Sequence, residues 1–161
     1  MHLYLIRHAH ALPAEEDTGR PLSPKGRAQI RRLAKFLRAG GAFTPEEIWH
    51  SPLTRSRQTA RLLAKQLSLR APIHEIAGLE PEASPRSAAM RLRALRRPVA
   101  IVGHEPHLSA LASSLVTGTA TPVVFKFRKS ALLALECGEN GRWIVRWQLA
   151  PELLDDGQRG S

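Results

Sequence analysis

The chain has 161 residues, 43% of them hydrophobic, which is enough for one domain with a buried core. It contains no apolar run of about 18 residues and no secretory signal pattern, so we expect no membrane span. The formal net charge of +10 favours anionic partners, and a single cysteine, Cys137, excludes an internal disulfide and favours a reducing cytoplasm.

The first half of the chain alternates short apolar runs with helical patterns. Residues 3–6 are apolar without alternation, which is typical of a strand buried on both faces. Residues 30–37 then carry apolar side chains at i, i+3, i+4 and i+7, the spacing of an amphipathic helix. Residues 48–49 predict a second strand, and residues 60–67 repeat the helical spacing.

The same alternation continues to about residue 117. Residues 73–76 predict a third strand, and residues 88–95 approach the helical spacing. Residues 99–102 form another continuous apolar run, and residues 108–115 complete a fourth helical pattern. Strand and helix in alternation predict a largely parallel sheet with helices on both sides.

Three of the four predicted helices have a serine–proline start signal. A serine–proline pair reads either as the N-cap and first helical residue or as the turn just before the helix. These pairs are Ser23-Pro24, Ser51-Pro52 and Ser84-Pro85, and the fourth helix is expected to begin near Pro106.

After residue 120 the pattern becomes β-rich. Residues 123–127, 131–135 and 143–147 predict closing strands, and the turn signals between them indicate antiparallel hairpins. Trp143 and Trp147 are four residues apart in the last strand, so we expect them to face the same side. The final residues, DDGQRGS, are expected to form a loose tail.

Arginine and histidine gather where predicted strands end. Arg7 and His8 follow the first strand, Arg55 follows the second in SPLTRSRQTA, and His104 follows the 99–102 run in VGHEPH. Ligands of open α/β sheets bind beyond the carboxyl ends of the strands, so these side chains are expected on one rim. Guanidinium groups match the geometry of phosphate oxygens, and a neutral imidazole is a competent nucleophile. A second imidazole, if protonated, can stabilise the negative charge on the phosphoryl oxygens. The pattern indicates phosphoryl transfer.

Four segments, taken in their order along the chain, resemble motifs of the histidine phosphatase superfamily, which is phosphoglycerate mutase-like. They are LIRHAHA, GRPLSPKG, SPLTRSRQTA and VGHEPH. The resemblance is to the SixA-type phosphohistidine phosphatases of this superfamily in particular. The resemblance runs from residue 3 to about residue 150. It implies an α/β fold, specifically a three-layer α/β/α sandwich. The central sheet is expected to be mostly parallel, with antiparallel C-terminal strands, and residues 1–161 are expected to form one domain. It also implies that no metal or other cofactor is needed.

The resemblance also implies residue roles. His8 is the nucleophile that becomes phosphohistidine, and Arg7, Arg55 and His104 form the phosphate pocket around it. Arg20, in GRPLSPKG, matches an arginine near the phosphate, although a salt-bridged loop arginine is an equally good reading.

The loop after the third strand departs from ester-cleaving relatives. Those relatives usually carry a glutamate acid two residues after a leucine, whereas here Leu79 is followed at that distance by Pro81. Glu80 and Glu82 flank this position, and each is either an acid or a solvated carboxylate. Because imidazole is a far less basic leaving group than an alkoxide, a site without a well-placed acid suits P–N cleavage better than P–O cleavage.

Three functions follow as hypotheses. The first is a phosphatase acting on phosphohistidine of another protein, and the second is a phosphatase of small phosphate esters on the same fold. The third, a basic domain that binds nucleic acid, is disfavoured because aromatic residues are only 5% of the chain. His8 and His10 could be read as a metal pair, but no third ligand is evident nearby. His107 is expected on the surface.

Overall fold

The computed structural model describes residues 1–154, and the predicted tail at residues 155–161 lies outside them. Within the described residues, the alternating pattern forms six strands and four α-helices. The strands are β1 (His2–Arg7), β2 (Glu47–His50), β3 (Ile73–Glu75), β4 (Val99–Gly103), β5 (Leu132–Cys137) and β6 (Trp143–Leu149). The α-helices are α1 (Pro24–Gly40), α2 (Thr54–Leu67), α3 (Pro85–Ala94) and α4 (His107–Thr117), and short 3-10 helices span Asp17–Gly19 and Pro151–Leu154.

One sheet joins these six strands of the described region in the order β3-β2-β4-β1-β5-β6. The pairs β1–β4, β2–β4 and β2–β3 are parallel, whereas β1–β5 and β5–β6 are antiparallel. The predicted mostly parallel sheet with antiparallel C-terminal strands is therefore confirmed.

Two hydrophobic clusters cover the two faces of the sheet. Tyr4 and Ile6 point into the cluster formed with α1 and α2, while Leu3 and Leu5 point into the cluster formed with α3 and α4. Each fully buried Leu or Ile side chain stabilises the fold by roughly 1.5–3 kcal/mol. Because β1 is buried on both faces, its sequence shows no alternation of apolar and polar residues. The three-layer α/β/α arrangement is confirmed.

All three serine–proline pairs stand at helix starts, two as N-caps and one as the turn before the helix. Ser23 and Ser84 are N-caps whose hydroxyls accept backbone N–H groups of their own helices. Ser51-Pro52 is instead the turn before α2, and Leu53 takes the N-cap position. The Ser51 hydroxyl is thereby available for a contact in the functional site.

The prediction of a strand at residues 123–127 is wrong. Both edges of β5 are already occupied, by β1 and β6, so this segment has no strand beside β5 to pair with. The Val124 N–H donates to the Ser113 hydroxyl instead (2.9 Å), and Phe127 is buried beside α4.

The prediction that Trp143 and Trp147 face the same side is also wrong. Leu135 pairs with Val145 and Ala134 pairs with Trp147, so β6 carries one extra residue, Arg146, at a β-bulge. The extra residue reverses the facing of the following side chains, and the two tryptophans pack against opposite faces of the sheet.

No helix within residues 1–154 combines the length and the apolar character that crossing a bilayer requires.

Candidate active site

Three strands deliver the predicted polar residues to one edge of the sheet. Arg7, the last residue of β1, is in register with Gly103, the last residue of β4. The His8 N–H donates to the Gly103 carbonyl (3.0 Å), and the Ser51 N–H donates to the Val102 carbonyl (3.3 Å). The carboxyl ends of β1, β2 and β4 therefore open onto the same space, where α/β proteins bind ligands.

The His8 ring is held by a single backbone hydrogen bond. Its Nδ1 lies 2.7 Å from the Ala9 carbonyl oxygen, and since a carbonyl can only accept, Nδ1 carries the proton. The Ala9 N–H is fixed in turn by the Thr59 hydroxyl of α2 (3.1 Å). The neutral ring consequently keeps its lone pair on Nε2.

The surroundings of His8 keep the ring neutral. Burial, with a smaller contribution from the nearby charges of Arg55, Arg7 and Lys129, lowers the pKa of His8 to about 3, although the hydrogen bond to Ala9 opposes this shift. The side chain is only 5% exposed. A neutral imidazole with a free Nε2 lone pair is the form that acts as a nucleophile.

The two arginines are anchored by only part of their guanidinium groups. Arg7 Nη1 donates to the Phe127 carbonyl (2.8 Å), and Arg55 Nη1 and Nη2 donate to the Asp17 carbonyl and carboxylate (2.8 and 3.1 Å). The Nε atoms of both arginines are buried and have no hydrogen-bond partner among residues 1–154. A buried N–H group without a partner raises the free energy of the folded protein, and an anionic ligand could supply the missing acceptor.

His104 faces His8 across this space. The two ring centroids are 5.0 Å apart, and His104 Nε2 is hydrogen-bonded to the Ser51 hydroxyl. The buried Ser51 hydroxyl also accepts the Leu53 N–H (3.3 Å), and within residues 1–154 its own proton has no acceptor other than His104 Nε2, so it donates to that atom. His104 Nδ1 then carries the ring proton, and in the described part of the chain this buried atom has no partner.

The pKa of His104 is lowered to about 3, mainly by burial and further by His8 and Arg55. Its side chain is 1% exposed. The second imidazole is therefore neutral in this structure, whereas the sequence reasoning considered a protonated one. As a neutral ring it still offers one N–H donor through Nδ1.

Arg20 joins the rim through an acidic residue. Its Nη1 donates to the Asp17 carboxylate (3.3 Å) and its Nε donates to the Leu12 carbonyl (3.1 Å). Asp17 thus bridges Arg20 and Arg55. Burial raises the pKa of Asp17, but hydrogen bonds and charge from Arg55 and Arg20 outweigh this and hold it below its usual value.

The two candidate acids are not brought against His8 by any contact of the described residues. The Glu80 carboxylate accepts the Gly78 N–H (2.6 Å), and its charge acts on His107. Glu82 is exposed on the same loop, with no hydrogen bond or ion pair to residues 1–154. No group of three or more His, Cys, Asp or Glu side chains with metal-binding geometry occurs within those residues.

Sequence reasoning missed several residues around the rim. His107 is 1% exposed rather than on the surface, because the first turn of α4 packs beneath the site beside His104. Asp17, Ser51 and Lys129 were also missed. The Asp17–Arg20 spacing of i, i+3 was a usable signal for an ion pair, whereas the Ser51 contact depends on tertiary structure.

Comparison with known proteins agrees with this geometry. Residues 3–80 match the histidine phosphatase superfamily (branch 1). The phosphohistidine phosphatase SixA of Escherichia coli K12 is 28% identical over 156 residues, covering 94% of each chain. A protein of Picosynechococcus sp. is 32% identical over 146 residues, covering 86% of each chain.

Solved structures share the fold over nearly the whole chain. A structure of the protein histidine phosphatase SixA complexed with tungstate superposes with a TM-score of 0.85 at 28% identity, covering 96% of this chain and 99% of the other. The α-ribazole phosphatase of Shigella flexneri, at 19% identity, shows the same fold with a TM-score of 0.73, covering 94% of this chain and 97% of the other. This chain accordingly belongs to the histidine phosphatase superfamily, is similar to its SixA-type members, and is a phosphatase with histidine-based catalysis.

Proposed function

We propose that the chain dephosphorylates phosphohistidine on another protein, with His8 as the nucleophile. One observation carries this proposal: a neutral His8 with a free Nε2 lies at the same edge of the sheet as Arg7, Arg55 and His104, and the Nε atoms of both arginines and His104 Nδ1 are buried without a partner in the described region. Similarity to SixA supports the substrate, and the tungstate complex of SixA supports the binding of a tetrahedral oxyanion.

In the first step, the Nε2 lone pair of His8 forms a bond to phosphorus while the P–N bond of the substrate breaks. The bonding pair goes to the leaving imidazole nitrogen. A substrate ring protonated on its other nitrogen leaves as neutral imidazole, so the enzyme needs to supply no proton. The phosphorylated His8 ring becomes cationic, and the Ala9 carbonyl stabilises it through the Nδ1 proton.

In the second step, water attacks phosphorus and the P–Nε2 bond breaks. The bonding pair returns to Nε2, one proton passes to solvent, and inorganic phosphate leaves. In both steps Arg7, Arg55 and His104 stabilise the charge on the phosphoryl oxygens. Arg20 acts on the same pocket through Asp17, which holds Arg55 in place.

The experiment compares phosphate release from a phosphohistidine peptide and from p-nitrophenyl phosphate by wild type and His8→Ala. We expect the wild type to prefer the P–N substrate and the variant to lose at least about 10³-fold in kcat/KM. A clear preference for the ester would make the chain a phosphatase of small esters. If neither is hydrolysed and the chain binds nucleic acid with steep salt dependence, the phosphatase proposal is wrong.

We also propose that residues 1–161 form one catalytic domain that works in the cytoplasm. The single sheet formed by residues 1–154 supports the first statement, and the lone, unpaired Cys137 supports the second.

A further inference from the structure

A strongly basic groove adjoins the phosphate pocket. The groove encloses about 470 Å³ and shares Arg7 with the pocket. We call it the basic groove, and the residues of its lining that matter here are Arg7, Lys25, Lys126, Arg128, Lys129 and Glu152.

The lysines reach the basic groove from two parts of the fold. Lys25 lies in the first turn of α1, and this turn packs so closely on the loop after β1 that a side chain at Gly26 would clash with the His10 carbonyl. Lys126 and Lys129 lie in the segment before β5, where the Ser130 N–H donates to the Arg7 carbonyl (3.0 Å). These backbone contacts place the three lysines in one groove with Arg7, and the charge of Lys129 also acts on His8.

The positive charge of the basic groove is poorly compensated. Glu152 pairs with Arg128 (3.6 Å), and within residues 1–154 no carboxylate lies within ion-pair distance of Lys25, Lys126 or Lys129. Burial lowers the pKa of Lys129, and repulsion from Arg7 and the neighbouring cations lowers it further. Like charges held together in this way favour an anionic ligand.

The shape and composition of the basic groove indicate the kind of anion. Its volume far exceeds that of one phosphoryl group, and because Arg7 lines it, a substrate whose phosphate lies against Arg7 and His8 can extend into it. No Phe, Tyr or Trp is among the described residues that line it, so it offers no platform for stacking nucleobases. Several separate ammonium groups suit several separate carboxylates.

We infer that the basic groove binds acidic side chains that flank the phosphohistidine of the partner protein. This inference rests on the proposed function, and it adds the property by which the enzyme selects its protein substrate. It predicts that carboxylates beside the phosphohistidine lower KM and leave kcat unchanged, because they act on binding and not on the reacting atoms.

The test uses two phosphohistidine peptides of equal length, one flanked by Asp and Glu and one by Ser and Gly. We expect the wild type to have a KM at least about fivefold lower for the acidic peptide, and the preference to weaken as salt increases. Lys25→Ala/Lys126→Ala should remove the preference. The matched control Lys35→Ala/Lys65→Ala removes the same charge from α1 and α2 outside the groove and should keep it.

Equal KM values for the two peptides, or equal behaviour of the two double variants, would overturn the inference while leaving the proposed function intact. If neither peptide is hydrolysed, the proposed function fails, and anisotropy of a fluorescent unphosphorylated acidic peptide tests the groove alone. Its binding should weaken in Lys25→Ala/Lys126→Ala only. Tighter, groove-dependent binding of a single-stranded oligonucleotide would instead identify a nucleic-acid surface and refute the inference.

Discussion

The imidazole rings of His8 and His104 face each other with their centroids 5.0 Å apart and their planes inclined at 50°. Each ring is fixed by a different partner, His8 by the Ala9 carbonyl and His104 by the Ser51 hydroxyl. These partners place the proton of His8 on Nδ1 and the proton of His104 also on Nδ1. One ring therefore offers a lone pair and the other an N–H donor, although both are neutral.

Stability should fall as the pH decreases from about 6.5 to about 3, because burial lowers the pKa of both His8 and His104 to about 3. Over this window the unfolded chain takes up protons on these histidines and the folded chain does not, so each ring reduces the free energy of unfolding by about 1.4 kcal/mol per pH unit. Urea unfolding at pH 7.5, 6, 5 and 4 measures the slope. His104→Gln should reduce it, and an unchanged slope in that variant would contradict the lowered pKa of His104.

Arg55→Ala should lower kcat/KM by at least about 10²-fold, because one of the donors for the phosphoryl oxygens is lost. Arg55 is 5% exposed, but its partner is the Asp17 carboxylate and not the apolar core, so we expect the variant to stay folded. Arg57→Ala is the matched control one half-turn further along α2, where the guanidinium donates to the Thr54 hydroxyl (3.4 Å). Steady-state kinetics with circular dichroism checks both, and an equal loss in Arg57→Ala would argue against a role specific to Arg55.

Ser51→Ala should lower kcat by about 5- to 10-fold with little change in KM, because the hydroxyl that keeps the proton on His104 Nδ1 is removed. Ser51→Thr should restore most of the rate, since it retains the hydroxyl. Ser113→Ala removes another buried hydroxyl, one bonded to the Val124 N–H, and serves as the control for stability effects. A melting temperature that falls in step with kcat, without rescue by threonine, would indicate a structural role only.

Glu82→Gln and Glu80→Gln should each leave the rate on a phosphohistidine peptide within about twofold of wild type, because an imidazole leaving group needs no acid. Glu82 is exposed, and the Glu80 carboxylate is held by the Gly78 N–H. The same variants assayed with p-nitrophenyl phosphate report on any contribution to ester cleavage. A loss of 10²-fold or more on the P–N substrate would identify that glutamate as a catalytic acid.

Most of the fold could be predicted from the sequence because β1 and β4 are uninterrupted apolar runs and the helices have regular spacing. The rim followed from the same pattern, since Arg7 ends β1, and His8 and His104 come directly after β1 and β4. The facing of Trp147 could not be predicted, because the β-bulge at Arg146 depends on pairing with β5. That residues 123–127 form no strand could not be predicted either, because it depends on β5 being paired on both edges, with β1 and β6.

Features of the site that depend on tertiary contacts could not be predicted from the sequence. Ser51 was predicted as a helix cap or the turn before a helix, and only the register of β2 with β4 places its hydroxyl against His104. The position of His107 at the start of α4 was correct, but its burial depends on how α4 packs on the sheet. Likewise, the charge of Lys129 becomes relevant only because the loop before β5 folds back onto Arg7 and His8.

Identification of the phosphorylated atom in the covalent intermediate tests the proposed mechanism most directly. Wild-type enzyme mixed with a phosphohistidine peptide would be quenched in alkali within milliseconds, digested and mapped by mass spectrometry and phosphorus NMR. Because Nδ1 of His8 is bound to the Ala9 carbonyl, we expect the phosphoryl group on Nε2 of His8. Phosphate release without a phosphorylated enzyme, or phosphorylation of His104 or of Nδ1 of His8, would contradict the assignment of His8 Nε2 as the nucleophile.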